Sequence, residues 1–159
     1  MRTYADSSFL VKLLAPEAGS DRAVAEYRRL RLPRLFYLPL HALEVENALE
    51  QRAFRQRRSL PAGERGQVTR EKTAAISRLN RMLERRLFME ATVDWDAAVA
   101  RARALAQHHT ASTGARSLDL LHIAFALELS CEVFLTTDVG QSLIATAEGM
   151  KVVNVSDEE

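Results

Sequence analysis

Cysteine is nearly absent from the 159-residue chain: Cys131 stands alone, which excludes an internal disulfide framework and fits a reducing, cytoplasmic setting. Its place inside an apolar run marks it as a small core residue. No stretch holds eighteen consecutive apolar residues, so no membrane-spanning helix is expected. The first residues lack the basic segment, long apolar core and small-residue cleavage pattern of a secretory leader, and none is expected. With one cysteine and four scattered histidines there is no zinc-ligand spacing. Lysine is scarce as well. Three of the 22 basic residues, Lys12, Lys72 and Lys151, are lysine, and the rest are arginine.

In bulk the composition is that of a globular protein, 47% apolar and 27% charged. The length suits one domain, residues 1–155, followed by an acidic tail at 156–159. A net charge of +1 predicts no polyanionic partner. The arginines are clustered, however, in "EYRRLRLPR", "QRAFRQRR" and "RLNRMLERR". Arginine suits bidentate phosphate contact, so these clusters gain meaning only beside other signs of nucleic acid.

Short β-like runs alternate with longer helical ones. "RTYA" reads as a strand, "SSFLVKLL" as a helix with a serine cap, and "SDRAVAEYRRL" as a helix capped by Ser20. "RLFYLP" is a second strand, followed by a helix in "LHALEVENALEQRAFRQ". A long helix is expected from Arg65 to Leu87, with Ile76, Leu79, Leu83 and Leu87 on its inner side. "FMEATVD" gives a third strand, "WDAAVARARALAQHH" a helix, and "TASTGAR" a loop. The helix in "SLDLLHIAFALEL" is apolar on nearly all sides and therefore buried. "EVFLTT", "DVGQSLIATAE" and "MKVVNV" complete the series as strand, helix and strand. Such alternation predicts an α/β domain with a mostly parallel sheet, whose working crevice lies beyond the carboxyl ends of the strands.

Four acids stand in places that need explaining. Asp6 and Asp138 each follow a strand directly, where helix capping is the plain alternative. Asp119 lies in the first turn of the most apolar helix, on the same face as His122. A carboxylate there needs donors or a cation. On the helix of "LHALEVENALEQR", Ala42, Val45 and Leu49 form the core stripe, and Glu44 and Glu46 flank its two edges. Periodicity nominates either glutamate. Carboxylates brought together repel one another unless something neutralises them, and an all-oxygen set suits Mg²⁺ or Mn²⁺. His122 is expected to hydrogen-bond an acid or to lie beneath it.

Taken in order, "YADSSFLVKLL", "LPLHALEVENALE", "RSLDLLHIAFALEL" and "VFLTTDVGQSLIATAEGMKVV" resemble PIN-domain ribonucleases of the VapC toxin type, over nearly the whole length. The resemblance implies a PIN-like three-layer α/β/α sandwich, a homodimer, RNA cleavage with Mg²⁺ or Mn²⁺, and a cognate antitoxin whose tail blocks the groove. It carries the acidic metal-binding and catalytic set onto Asp6, Glu44, Asp119 and Asp138. The E-x-x-N-A-L run selects Glu44, the choice that the helical wheel leaves open. Thr136 or Thr137 corresponds to the family's small polar residue near the last acid, and Ser7 or Ser8 follows the first. Where many relatives carry a further acid or asparagine, this chain has Gly140 and Gln141, so one ion or two remain compatible with the pattern.

The chemistry expected is metal-assisted phosphodiester hydrolysis, with Ser7, Thr136 or Thr137 positioning water or phosphate and Arg116 contacting substrate. Single-stranded RNA fits a shallow groove better than duplex. Three other readings share the residues. They are a small-molecule phosphatase, a non-catalytic RNA-binding module, and a nuclease of DNA or of RNA maturation with no toxin role. Against the first, no aspartate stands two residues after Asp6, where Ser8 is found.

Overall fold

The computed structural model describes residues 1–156, and the acidic residues at 157–159 lie outside the described part. Five strands form the sheet: β1 (Thr3–Ala5), β2 (Leu35–Tyr37), β3 (Phe88–Glu90), β4 (Val133–Thr136) and β5 (Lys151–Asn154). All are parallel, in the order β3-β2-β1-β4-β5. The central strands are apolar runs because parallel strands are covered on both faces, as the fully buried β1 and β4 are.

Among the described residues seven α-helices cover the sheet: α1 (Ser7–Leu14), α2 (Ser20–Arg29), α3 (Pro39–Ser59), α4 (Arg65–Glu84), α5 (Trp95–Thr113), α6 (Ser117–Glu128) and α7 (Val139–Ala147). Successive side chains of a strand point to opposite faces, and the two cores follow that rule. Ala5 and Leu135 face one core with Phe9 and Leu10 of α1, Tyr27 of α2, Val45 and Leu49 of α3, and Leu79 of α4. Tyr4 and Phe134 face the other with Leu105 of α5, Ile123 and Phe125 of α6, and Ile144 of α7. Each large apolar side chain so buried contributes roughly 1.5–3 kcal/mol. The result is the three-layer α/β/α arrangement, with Cys131 buried as a core residue. Among the described residues no helix is long and apolar enough to cross a membrane.

Several boundaries depart from the sequence reading. The cap of α1 is Asp6, whose Oδ1 accepts from Phe9 N–H at 2.8 Å, and not a serine. Ser20 does not cap α2: its hydroxyl donates to Ala15 C=O at 2.9 Å, and Gly19, in the left-handed region at φ 75°, takes the cap position. α4 stops at Glu84, and its buried positions are Val68, Ala75 and Leu79, leaving Ile76 41% exposed. Leu87 lies beyond the helix, where its N–H returns to Met82 C=O. The expected loop at "TASTGAR" is largely helix. Thr113 Oγ1 donates back to His109 C=O, and the stop is Gly114 at φ 67°, whose N–H reaches Thr110 C=O at 2.8 Å.

β1 leads outward through β2 to β3, and the chain then crosses to β4 and β5 on the other side of β1. The strand order therefore reverses between β1 and β4. In open parallel sheets that switch point, at the carboxyl ends of the strands, leaves a crevice between diverging connections.

Candidate functional site

Asp6 follows β1 and Asp138 lies two residues beyond the end of β4, so both stand at the switch point. Asp6 is 1% exposed and surrounded by donors. Besides Phe9 N–H, its carboxylate accepts from Ser8 Oγ at 2.8 and 2.9 Å, Thr136 Oγ1 at 2.7 Å and Gln141 Nε2 at 3.1 Å. Burial nonetheless raises its pKa from the ordinary aspartate value, against the pull of His122 and of the Phe9, Thr136 and Ser8 hydrogen bonds. Asp138 caps α7, with Oδ1 accepting from Gln141 N–H at 2.7 Å. Its own N–H donates to Thr136 Oγ1 at 2.9 Å, so Thr136 ties the two acids together. Gly140 is a close fit: a Cβ there would stand 3.1 Å from Asp138 Oδ1, so that carboxylate would have to give by a few tenths of an ångström.

α6 brings Asp119 to the same edge. Its Oδ2 accepts from the Arg116 backbone N–H at 3.0 Å and from Arg116 Nε at 3.1 Å, and its Oδ1 accepts from Gln141 Nε2 at 3.3 Å. The Arg116 side chain is otherwise 81% exposed. The Asp119 carboxylate, accepting from the Arg116 N–H, closes the first turn of α6.

Glu44 reaches the cluster from α3. Its Oε2 accepts from Ser7 Oγ and from His122 Nε2, each at 2.6 Å. Half-burial pushes the Glu44 carboxyl up, but the His122 and Ser7 contacts outweigh it and hold the group below its usual range. Glu46, the other candidate from periodicity, is exposed. Thr137 lies at the rim, donating to Ser8 Oγ at 2.7 Å.

Beneath the acids lies a buried polar floor. Tyr4 OH meets His122 Nδ1 at 2.9 Å, which leaves the His122 Nε2 proton for Glu44. His41 accepts from Leu38 N–H at Nδ1 (3.0 Å), so its own proton is on Nε2, 2.9 Å from Ala5 C=O. Burial, with His122 beside it, drives the His41 pKa down to about 3. Sequence reading marked His122 as a neighbour of an acid, and the structure gives it Glu44. It did not mark Tyr4 or His41, because a polar group buried under a sheet edge has no periodic signature. In the sequence Gln141 stands out only as a departure from the resemblance, yet it touches Asp6, Asp119 and Asp138.

The sequence reading expects a cation to offset repulsion among the acids. In the structure the chain's own donors do so: backbone N–H groups at three helix starts, the hydroxyls of Ser7, Ser8 and Thr136, the His122 imidazole, the Arg116 guanidinium and the Gln141 amide. Among the described residues no group of three or more His, Cys, Asp or Glu is arranged as it stands to hold an ion. The donor chemistry still fits a hard divalent cation. Two carboxylate oxygens, Asp6 Oδ2 and Asp119 Oδ1, already converge on one point, where the Gln141 nitrogen acts as a positive group. A groove of about 570 Å³ opens beside them, with Ser7, Glu44, Asn47, Arg55, Arg116 and Thr137 in its walls.

Fold and site together define a parallel α/β/α protein with carboxylates gathered at the switch point of its sheet. The PIN-domain family model matches residues 3–147, and the chain belongs to that family. FitAcB from Neisseria gonorrhoeae has a similar structure, with a TM-score of 0.61 over 96% of this chain and 97% of that one, at 19% identity. At that identity the likeness speaks for the fold. No curated protein matches the chain.

Proposed function

We propose that this PIN-domain protein is an endoribonuclease dependent on Mg²⁺ or Mn²⁺, and that it serves as the toxin of a toxin–antitoxin pair. The observation that carries the nuclease reading is the convergence of Asp6 and Asp119 on one point, flanked by Asp138 and Glu44, beside an open groove. The toxin role, a cognate antitoxin and a homodimer come from the VapC-type resemblance.

Asp6, Asp119, Asp138 and Glu44 would hold the ion, directly or through water. When bound, a divalent cation supplies acidification of an attacking water and polarisation of the phosphoryl oxygen. The rest of the work belongs to the chain. Glu44, fixed at Oε2 by Ser7 and His122, lines the groove, and its Oε1 would serve as the acceptor for a water proton. Thr136 holds Asp6 and Asp138 at a fixed separation through its single hydroxyl. Thr137 at the rim would turn its hydroxyl proton from Ser8 Oγ to a phosphate oxygen. Arg116, anchored at Nε by Asp119, has its remaining guanidinium donors free to meet a phosphate. Arg55, exposed in the groove wall, extends that attraction along a single strand, with a salt dependence expected of phosphate contacts.

The test is cleavage of single-stranded RNA by purified protein with Mn²⁺, comparing the parent with Asp119→Asn and running single-stranded DNA and a small phosphate ester in parallel. Asp119→Asn should lose more than about 100-fold, beyond the effect typical of losing a metal's outer-shell partner. Parental cleavage by the variant refutes the acid cluster as catalyst. Cleavage of DNA or the ester alone points to a DNA nuclease or a phosphatase. RNA binding without cleavage points to a binding module.

A further inference from the structure

Gln141 is 4% exposed and links three of the four acids, through its backbone N–H to Asp138 and its side-chain nitrogen to Asp6 and Asp119. The other end of the same amide is unsatisfied: Oε1 is buried with no hydrogen-bond partner among the described residues. Buried carbonyl oxygens are almost always paired, so an orphan beside an acidic cluster needs a reason. The amide is planar, and a half-turn about its terminal bond exchanges nitrogen and oxygen with little change of shape. With nitrogen inward, two N–H dipoles face two carboxylates and do the work of a positive charge. With a divalent cation between those carboxylates, the same N–H groups would face the cation and be repelled, while the oxygen would be drawn in.

We propose that Gln141 is a two-position element of the metal site, nitrogen inward in the metal-free protein and oxygen inward when Mg²⁺ or Mn²⁺ is bound, with Oε1 then donating toward the ion. This rests on reading the acid cluster as a divalent-cation site. It assigns the orphaned oxygen a partner in one state and explains how the acids stay together in the other. Oxygen-inward geometry without a cation would set three oxygens against one another, so the two positions are coupled to occupancy.

The experiment follows the Gln141 side-chain amide by ¹⁵N NMR in the full chain while Mg²⁺ is titrated. The resonance pair is assigned by its absence in Gln141→Met. Calorimetry measures Mg²⁺ affinity in the parent, Gln141→Met and Gln141→Glu. The amide signals should move to a new position that saturates with Mg²⁺. Gln141→Met should bind Mg²⁺ about tenfold more weakly, and Gln141→Glu, which brings a charged oxygen, about tenfold more tightly. Saturating Mg²⁺ binding with unmoved amide signals overturns the proposal even if a variant fails to fold. Parental affinity in both variants also overturns it and leaves the metal site intact. No Mg²⁺ binding by the parent overturns this inference together with the metal-dependent nuclease reading.

Discussion

Acid should weaken the protein through one residue in particular. His41 is fully buried, with Nδ1 committed to Leu38 N–H and the Nε2 proton committed to Ala5 C=O. A second proton on Nδ1 would set two donors against each other in a site closed to water. Burial, with the His122 ring 5.1 Å away, accordingly lowers the pKa from 6.5 to about 3. The unfolded chain takes up that proton near pH 6.5, whereas the folded chain refuses it until about pH 3. Between those limits the unfolded state binds more protons, so stability falls as pH falls, by up to about 1.4 kcal/mol per pH unit. From His41 alone the loss reaches about 2 kcal/mol at pH 5 and about 3 kcal/mol at pH 4. Those are large fractions of a total stability of roughly 5–15 kcal/mol. The control is His41→Gln, whose amide can accept from Leu38 and donate to Ala5 without titrating. Urea unfolding of both proteins between about pH 7 and pH 5 removes the contribution of the carboxylates, which the two share. The stability gap should close or reverse by about 2 kcal/mol in the variant's favour across that range. A gap constant to within about 0.5 kcal/mol would mean that the folded protein protonates His41 at an ordinary pH, and the account of the floor would be wrong.

Two further outcomes follow from single atoms. Thr136→Val keeps the shape but removes the hydroxyl that donates to Asp6 and accepts from Asp138 N–H, which should cost about 2 kcal/mol by urea midpoint, while Thr136→Ser should recover most of it. An effect below about 0.5 kcal/mol in Thr136→Val would deny that bridge. Burial pushes the Cys131 thiol up to about 12, so the native protein should resist iodoacetamide at mildly alkaline pH and react once unfolded in urea. Labelling of native protein at the rate of a free thiol would contradict its place in the core.

The fold was legible because each element carries its own signal. Buried parallel strands are apolar without alternation, and helices repeat their apolar positions near every third or fourth residue, so the order of elements could be read directly. What failed were ends and faces. "TASTGAR" reads as loop by composition, but threonine and serine hydroxyls can bond back within a helix, and the stop waits for Gly114. Ile76 fits an apolar stripe of α4 but is left exposed, because the position of the neighbouring elements decides which stripe is buried. The acids were legible for a related reason. Asp6 and Asp138 punctuate strand ends, Asp119 is a charge in an apolar helix, and Glu44 needed the E-x-x-N-A-L run to separate it from Glu46. Tyr4 and His41 gave no such contrast, since one reads as a strand aromatic and the other as a polar residue near a helix start.

Capping and metal binding are opposed readings of Asp6 and Asp138 in the sequence; the structure shows the caps, and these are compatible with the proposed metal binding. Both cap helices, and Asp119 closes the first turn of a third. Helix starts at the switch point aim backbone N–H groups at those carboxylates, and a hydrogen-bonded carboxylate is cheaper to keep ionised than a bare one. Capping therefore fixes the orientation of each acid and limits its electrostatic cost before any cation arrives. The capping contacts also leave particular oxygens over. Asp138 accepts at Oδ1 and Glu44 at Oε2, and no side-chain or backbone hydrogen bond among the described residues reaches the second oxygen of either. Asp6 Oδ2 and Asp119 Oδ1 meet at an amide that can turn. A cation entering this cluster would compete with one neutral side chain, and the backbone caps could remain in place.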